Sequence, residues 1–127
     1  MQTRRINAAA APIPRTGYVQ ALEVTGHDRL LFISGQTPVD ADGKLPDGFE
    51  AQCRQAWRNV LAQLEAAGMT LDNLVMHRTY LADRSYGVVN RAVRKDVLGG
   101  RETALTVVVA GIFDEAWLVE IEAVAAA

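Results

Sequence analysis

Two glutamates, Glu120 and Glu122, stand two residues apart in the run WLVEIEAVA, where apolar and acidic residues alternate as they do in a half-buried β-strand. On a strand that spacing puts both carboxylates on one face, about 7 Å apart. At a subunit seam such a group, with a raised pKa, would serve as general acid or base. The competing reading is a polar stripe paired with arginines across the sheet. Ser34-Gly35-Gln36 closes another apolar run, and a glycine there lets backbone N–H groups approach a ligand. No Gly-x-Ser-x-Gly elbow surrounds Ser34, so nucleophile chemistry is not expected of it.

Tyr18 follows Gly17 where a loop turns into a strand, either lining a pocket or packed with its hydroxyl satisfied. His77 and Arg78 fall mid-strand and point to opposite faces, the histidine more in keeping with a core or interface position than with catalysis. Asn90 opens a helix and is open between ligand contact and backbone cap. Cys53 lies on an apolar helical stripe as a buried small hydrophobe. Arg91, Arg94, Lys95 and Arg101 make a modest basic cluster, able to receive a carboxylate or simply a solvated helix face.

These residues need elements to hold them. Tyr18–Thr25 alternates with period two, and Gly26–Arg29 reads as a hairpin turn into Leu30–Ser34, a compact apolar run of the buried-strand type. The clearest helix spans Phe49–Ala67, with Phe49, Cys53, Ala56, Trp57, Val60 and Leu64 at three- and four-residue steps. Asp47 is its candidate N-cap and Gly68 its stop. A strand over Leu71–Ala82 precedes a helix over Tyr86–Leu98, with Val89, Ala92, Val93 and Val97 on its apolar side. Strands over Ala104–Ala110 and Trp117–Ala125 finish the chain. This order predicts an α+β fold with a mostly antiparallel sheet and two helices on one face. Both faces of the last two strands are rich in apolar residues, so the uncovered face calls for a second copy.

With 127 residues, half of them apolar, the chain reads as a single domain, 1–127. A net charge of −2 counts against a nucleic-acid partner. One cysteine and two distant histidines, His27 and His77, leave no metal motif and no internal disulfide. No run is long enough to span a membrane, and the stretch 8–12 is too weakly apolar for a signal peptide, so a soluble cytoplasmic protein is expected.

Taken together, Tyr18-Val19-Gln20-Ala21, LLFISGQTPVDADGKL (30–45), FEAQCRQAWRNVLAQLEAAG (49–68), Asp83 with Val89-Asn90, and LVEIEAVA (118–125) resemble the Rid (reactive intermediate deaminase, YjgF-like) family over nearly the whole chain. The resemblance implies a chorismate-mutase-like fold, a homotrimer, and a small-molecule ligand in clefts between subunits, with no cofactor. It implies hydrolysis of enamines or imines such as 2-aminoacrylate to ammonia and a 2-keto acid. By position, Glu120 matches the glutamate that handles water, and Tyr18, Ser34, Gly35 and Asn90 match residues lining the cleft. The family's carboxylate-binding arginine, in Pro-Ala-Arg-Ser/Thr, does not carry over. Here the segment is Glu102-Thr103-Ala104-Leu105, with Ala104 at the arginine's place and Thr106 at that of a reactive cysteine. A methyl cannot make a bidentate carboxylate contact. Arg78 and Arg101 are the candidate substitutes. The sequence therefore points to a divergent deaminase whose substrate is not the standard 2-aminoacrylate, with a non-catalytic small-molecule-binding trimer as the alternative. A ribonuclease activity fits poorly, since no His/His or His/Lys pair lies close in sequence.

Overall fold

Residues 1–15 and 17–127 are described by a computed structural model. Among them the order is β1 (Gln2–Ile6), β2 (Tyr18–Val19), β3 (Ala21–Thr25), β4 (Leu30–Gln36), α1 (Phe49–Ala66), β5 (Leu74–Leu81), α2 (Gly87–Leu98), β6 (Thr103–Val109) and β7 (Val119–Ala126). Five strands form the main sheet in the order β2-β6-β5-β7-β4, and β1 and β3 pair apart from it. The sheet is mixed. Strand β7 runs antiparallel to β5 and β4, as expected, whereas β6 is parallel to both β5 and β2. The β5–β6 ladder is parallel because α2 carries the chain back between the two strands.

Helix α1 covers one sheet face. Cys53, Trp57, Val60 and Leu64 are buried against Val119, Ile121, Ala123 and Ala125 of β7. Its C-terminus is a Schellman turn: Gly68 adopts φ +70, its N–H bonds to Glu65 O at 2.9 Å, and Met69 N–H bonds to Leu64 O at 2.8 Å. The N-cap is Gly48 rather than Asp47, and it makes no side-chain cap bond. The positive φ of 85 at Gly48 turns the chain into the helix one residue later than a carboxylate cap would.

Four further expectations are corrected. The turn at Gly26–Arg29 does not close a hairpin, because β3 pairs with β1 and β4 pairs with β7. Strand β4 is consequently an edge, and of its apolar run only Ile33 is buried, while Phe32 is 73% exposed. The segment before β5, Leu71–Asn73, is a 3-10 turn closed by a Thr70/Asn73 capping box. In α2 the buried stripe is Asn90, Val93, Arg94 and Leu98, with Val89 and Ala92 on the exposed side. Val93 and Val97 face the core as expected, and the buried face is turned from Val89 and Ala92 toward Asn90 and Arg94.

The sheet face away from α1 is amphipathic. Register places Met76, Arg78 and Tyr80 of β5 beside Val124, Glu122 and Glu120 of β7, and beside Ala104, Thr106 and Val108 of β6. No helix among the described residues is long and apolar enough to cross a membrane.

Candidate active site

Strand β2 pairs with β6 only at Thr103 and Ala104, so the rest of β6 is an unpaired edge. Beside that edge, beneath α2, opens a cavity of about 460 Å³ whose lining includes Tyr18, Asn90, Thr106, Arg15, Arg91 and Arg94. Each arrives by a local cause. Tyr18 opens β2 directly after Gly17, whose φ is +70. Asn90 and Arg94 are one helical turn apart on the inward stripe of α2. Asn90 does not cap α2, whose N-cap is Tyr86. Its Oδ1 accepts from the Cys53 thiol at 3.8 Å, and the residue is buried. Arg94 is only 8% exposed and has no hydrogen-bond or ion-pair partner among the described residues. Burial, then the neighbouring Arg91 guanidinium, lowers its pKa from the ordinary arginine value, with Tyr18 and Cys53 opposing.

Behind the cavity the interior is neutral. His77 is fully buried under Trp57, whose ring meets it edge-on at 5.1 Å, and its Nδ1 lies 3.1 Å from Thr103 Oγ1. Burial, reinforced by Arg94, lowers the His77 pKa to about 3, so the ring stays uncharged at neutral pH. Desolvation pushes the Cys53 thiol up to about 12, the opposite of an activated nucleophile.

The two glutamates of β7 have different surroundings. Glu122 lies directly across from Arg78, whose Nη1 donates to its Oε1 at 2.7 Å, and the Tyr80 hydroxyl donates to the same oxygen. These bonds, that of Tyr80 first, hold the Glu122 pKa below the usual carboxylate value. Glu122 thus takes the structural reading. Glu120 makes no such pair among the described residues. Its carboxylate instead rests on Gly35, where an added Cβ would lie 2.5 Å from Oε2 and 2.8 Å from Cδ. Gly35 sits in the irregular stretch where the β4–β7 register shifts between Ile33 and Gln36. Ser34 is exposed beside it.

The residues singled out in the sequence therefore form two groups. Tyr18, Asn90 and Thr106 line the cavity, while Glu120, Gly35 and Ser34 gather where β7 meets β4. Strand β5 separates the two groups, roughly 10 Å from β6 to β7 at ordinary strand spacing. Ala104 is held within β6 between Val19 and Met76 and does not line the cavity. Both candidate substitute cations are paired: Arg78 with Glu122, and Arg101 with Asp72 at 2.6 Å. Sequence reasoning missed Arg15 and the special position of Arg94 in the basic cluster. The signal for Arg94 was its four-residue step from Asn90 and to Leu98, one continuous helical stripe.

Residues 8–127 match the family model described as endoribonuclease L-PSP. The chain is 34% identical over 123 residues to the mouse 2-iminobutanoate/2-iminopropanoate deaminase, covering 94% of this chain and 88% of that one. The Rid-family protein YyfB of Yersinia pestis superposes with a TM-score of 0.86 at 27% identity, all of both chains being covered. RidA of the Antarctic bacterium Psychrobacter sp. PAMC 21119 gives 0.74 at 31% identity, covering 98% of this chain and 99% of that one. A family match over nearly the whole length and a shared fold agree, and the chain belongs to the Rid (YjgF-like) family.

Proposed function

We propose that this protein is an imine/enamine deaminase acting on a small reactive metabolite, with Glu120 as its general base and acid. The observation that carries the reading is the contrast between the two β7 glutamates. Glu122 is ion-paired with Arg78 and accepts a hydrogen bond from Tyr80, whereas Glu120 is held on the Cα of Gly35 with its oxygens unpaired among the described residues. A carboxylate so placed can take a proton from water as the oxygen adds to the C=N carbon. It can return that proton to nitrogen as the C–N bond breaks. Imine and water give a 2-keto compound and ammonia, and an enamine enters by tautomerising to the imine.

The working unit in this reading is a homotrimer. Each cavity at the β6 edge faces the Glu120–Gly35 corner of a neighbouring copy, and the ligand lies in the cleft between them. Two features support it: one copy holds the halves apart across β5, and Val107, Val108 and Val109 of the β6 edge are 39%, 38% and 44% exposed. An exposed edge of β-branched residues is disfavoured unless another chain covers it. Light scattering is expected to give about three times the 13.8 kDa chain mass. Monomeric mass at micromolar concentration removes the seam.

Ala104 favours a second reading, a ligand-binding trimer without turnover, because the family's arginine is missing from β6. One assay separates the two. Imino acids are generated in situ by an amino-acid oxidase or a serine dehydratase, and ammonia and keto-acid release are followed against buffer. Acceleration that Glu120→Gln reduces about 100-fold supports the deaminase. No acceleration with any imino acid leaves the binding reading. On 2-aminoacrylate itself the protein is expected to be slow and Ala104→Arg faster.

A further inference from the structure

The cavity beneath α2 carries three guanidiniums, Arg15, Arg91 and Arg94, and no Asp or Glu among its described lining residues. That is an unusual concentration in a chain whose net charge is −2. The three differ in setting. Arg15 and Arg91 are exposed at the rim, whereas Arg94 is 8% exposed and unpaired among the described residues. A guanidinium cannot shed its proton at ordinary pH, and Arg94 carries its charge largely buried, with no carboxylate beside it and its nitrogens open only to the cavity, where an anion would compensate it better than water does. Close approach of the Arg91 charge strengthens that preference. The polar groups around Arg94, the Tyr18 hydroxyl and the Asn90 amide, provide orientation and no compensating charge.

A volume of about 460 Å³ falls within the range of small-molecule sites. One carboxylate accepts one guanidinium fork, which leaves two positive charges at the rim without a counterpart. The geometry points to a site for a small organic dianion, one anionic group held on Arg94 at the floor and the second between Arg91 and Arg15 at the mouth. This rests on the reading of the cavity as the ligand site, and it assigns the anchoring role absent at Ala104 to helix α2. A phosphate monoester and a dicarboxylate share the required chemistry.

Calorimetric titration of the intact protein at low salt, with succinate, phosphoglycolate, butanoate and a short single-stranded RNA, tests the assignment. Succinate or phosphoglycolate should bind at least tenfold more tightly than butanoate, and the tighter of the two identifies the outer group. Arg91→Gln and Arg15→Gln should each bring the dianion-to-butanoate ratio toward one. Arg94→Met, which keeps side-chain length, should abolish dianion binding. Arg94→Lys, which keeps the charge but not the fork, should weaken it about tenfold and covers the case in which the methionine variant does not fold. Equal affinity for succinate, phosphoglycolate and butanoate overturns the inference. So does dianion binding that survives in Arg94→Met, or RNA binding that displaces the dianions. Dianion binding with no imine turnover would sink the deaminase reading alone, and turnover indifferent to Arg94→Met would sink this one alone.

Discussion

The carboxylate of Glu120 lies where the side chain of residue 35 would otherwise be. Glycine is required there for space, since a Cβ would come 2.5 Å from Oε2, and φ at Gly35 is not positive. The obstructed atoms are the far end of a flexible side chain, so the backbone need not move. Gly35→Ala is therefore expected to change the melting temperature little, because a half-buried glutamate can swing aside, while displacing the proposed general base by an ångström or more. Loss of catalytic position costs far more than loss of contact. Deaminase turnover should fall at least tenfold while the melting curve shifts by no more than a few degrees. Turnover at the parent level in a folded Gly35→Ala would remove Glu120 from the mechanism, since its carboxylate cannot keep its present place beside an alanine.

Helix α1 holds the approach to the site through polar side chains that its apolar periodicity conceals. Gln52 is buried within the stripe. Its Nε2 donates to Pro46 O and Ala116 O, each at 3.2 Å, and its Oε1 accepts from Leu118 N–H at 2.8 Å. Asn59 donates to Thr37 O and Val39 O, each at 2.8 Å. Two loops, one after β4 and one before β7, are thus fixed to a single helix, which sets where β7, the strand that carries Glu120, enters the sheet. Gln52→Leu keeps the volume and leaves three backbone groups unpaired in a dry setting, at about 1–3 kcal/mol for a group of this kind. The denaturant midpoint should drop accordingly with an unchanged m-value, and a midpoint equal to the parent's would show that water takes over these bonds. The same masking explains what could be read beforehand. Alternation and three-to-four spacing located α1, β5, β6 and β7 within a few residues, because apolar burial dominates there. In α2 those signals held for Val93 and Val97, which pack inward, and failed for Val89 and Ala92, because Asn90 and Arg94 take the inward positions beside Val93. Hydropathy places polar residues in solvent, and that rule fails where they line an internal cavity, as Asn90 and Arg94 do here. Strand β1 was invisible for a related reason: Gln2, Thr3, Arg4 and Arg5 are all exposed, and β1 is held by pairing with β3 and by an Arg4–Glu23 pair.

Across the whole molecule, charge is kept out of the core between α1 and the sheet and concentrated at its margins. Cationic groups line the cavity, and the Arg78–Glu122–Tyr80 cluster lies on the far sheet face. The core therefore holds His77 only as the neutral ring, with its pKa lowered from 6.5 to about 3, chiefly by burial. The unfolded chain takes up a proton on His77 below pH 6.5 and the folded chain does not. Stability that is complete above that pH must decline as pH falls toward 3, at a limiting slope of about 1.4 kcal/mol per pH unit. Glu122, with its pKa lowered by Tyr80 and Arg78, adds a loss that begins only below its unfolded value of 4.5. The interval between pH 6.5 and 4.5 therefore isolates the histidine. Chemical denaturation across that interval should show stability falling steadily in the parent protein. His77→Gln, which can still meet Thr103 and carries no titrating proton, should be flat there and fall only below 4.5. If parent and variant decline together above pH 4.5, the buried ring is not the source of the acid sensitivity, and another group must titrate differently in the folded and unfolded chains.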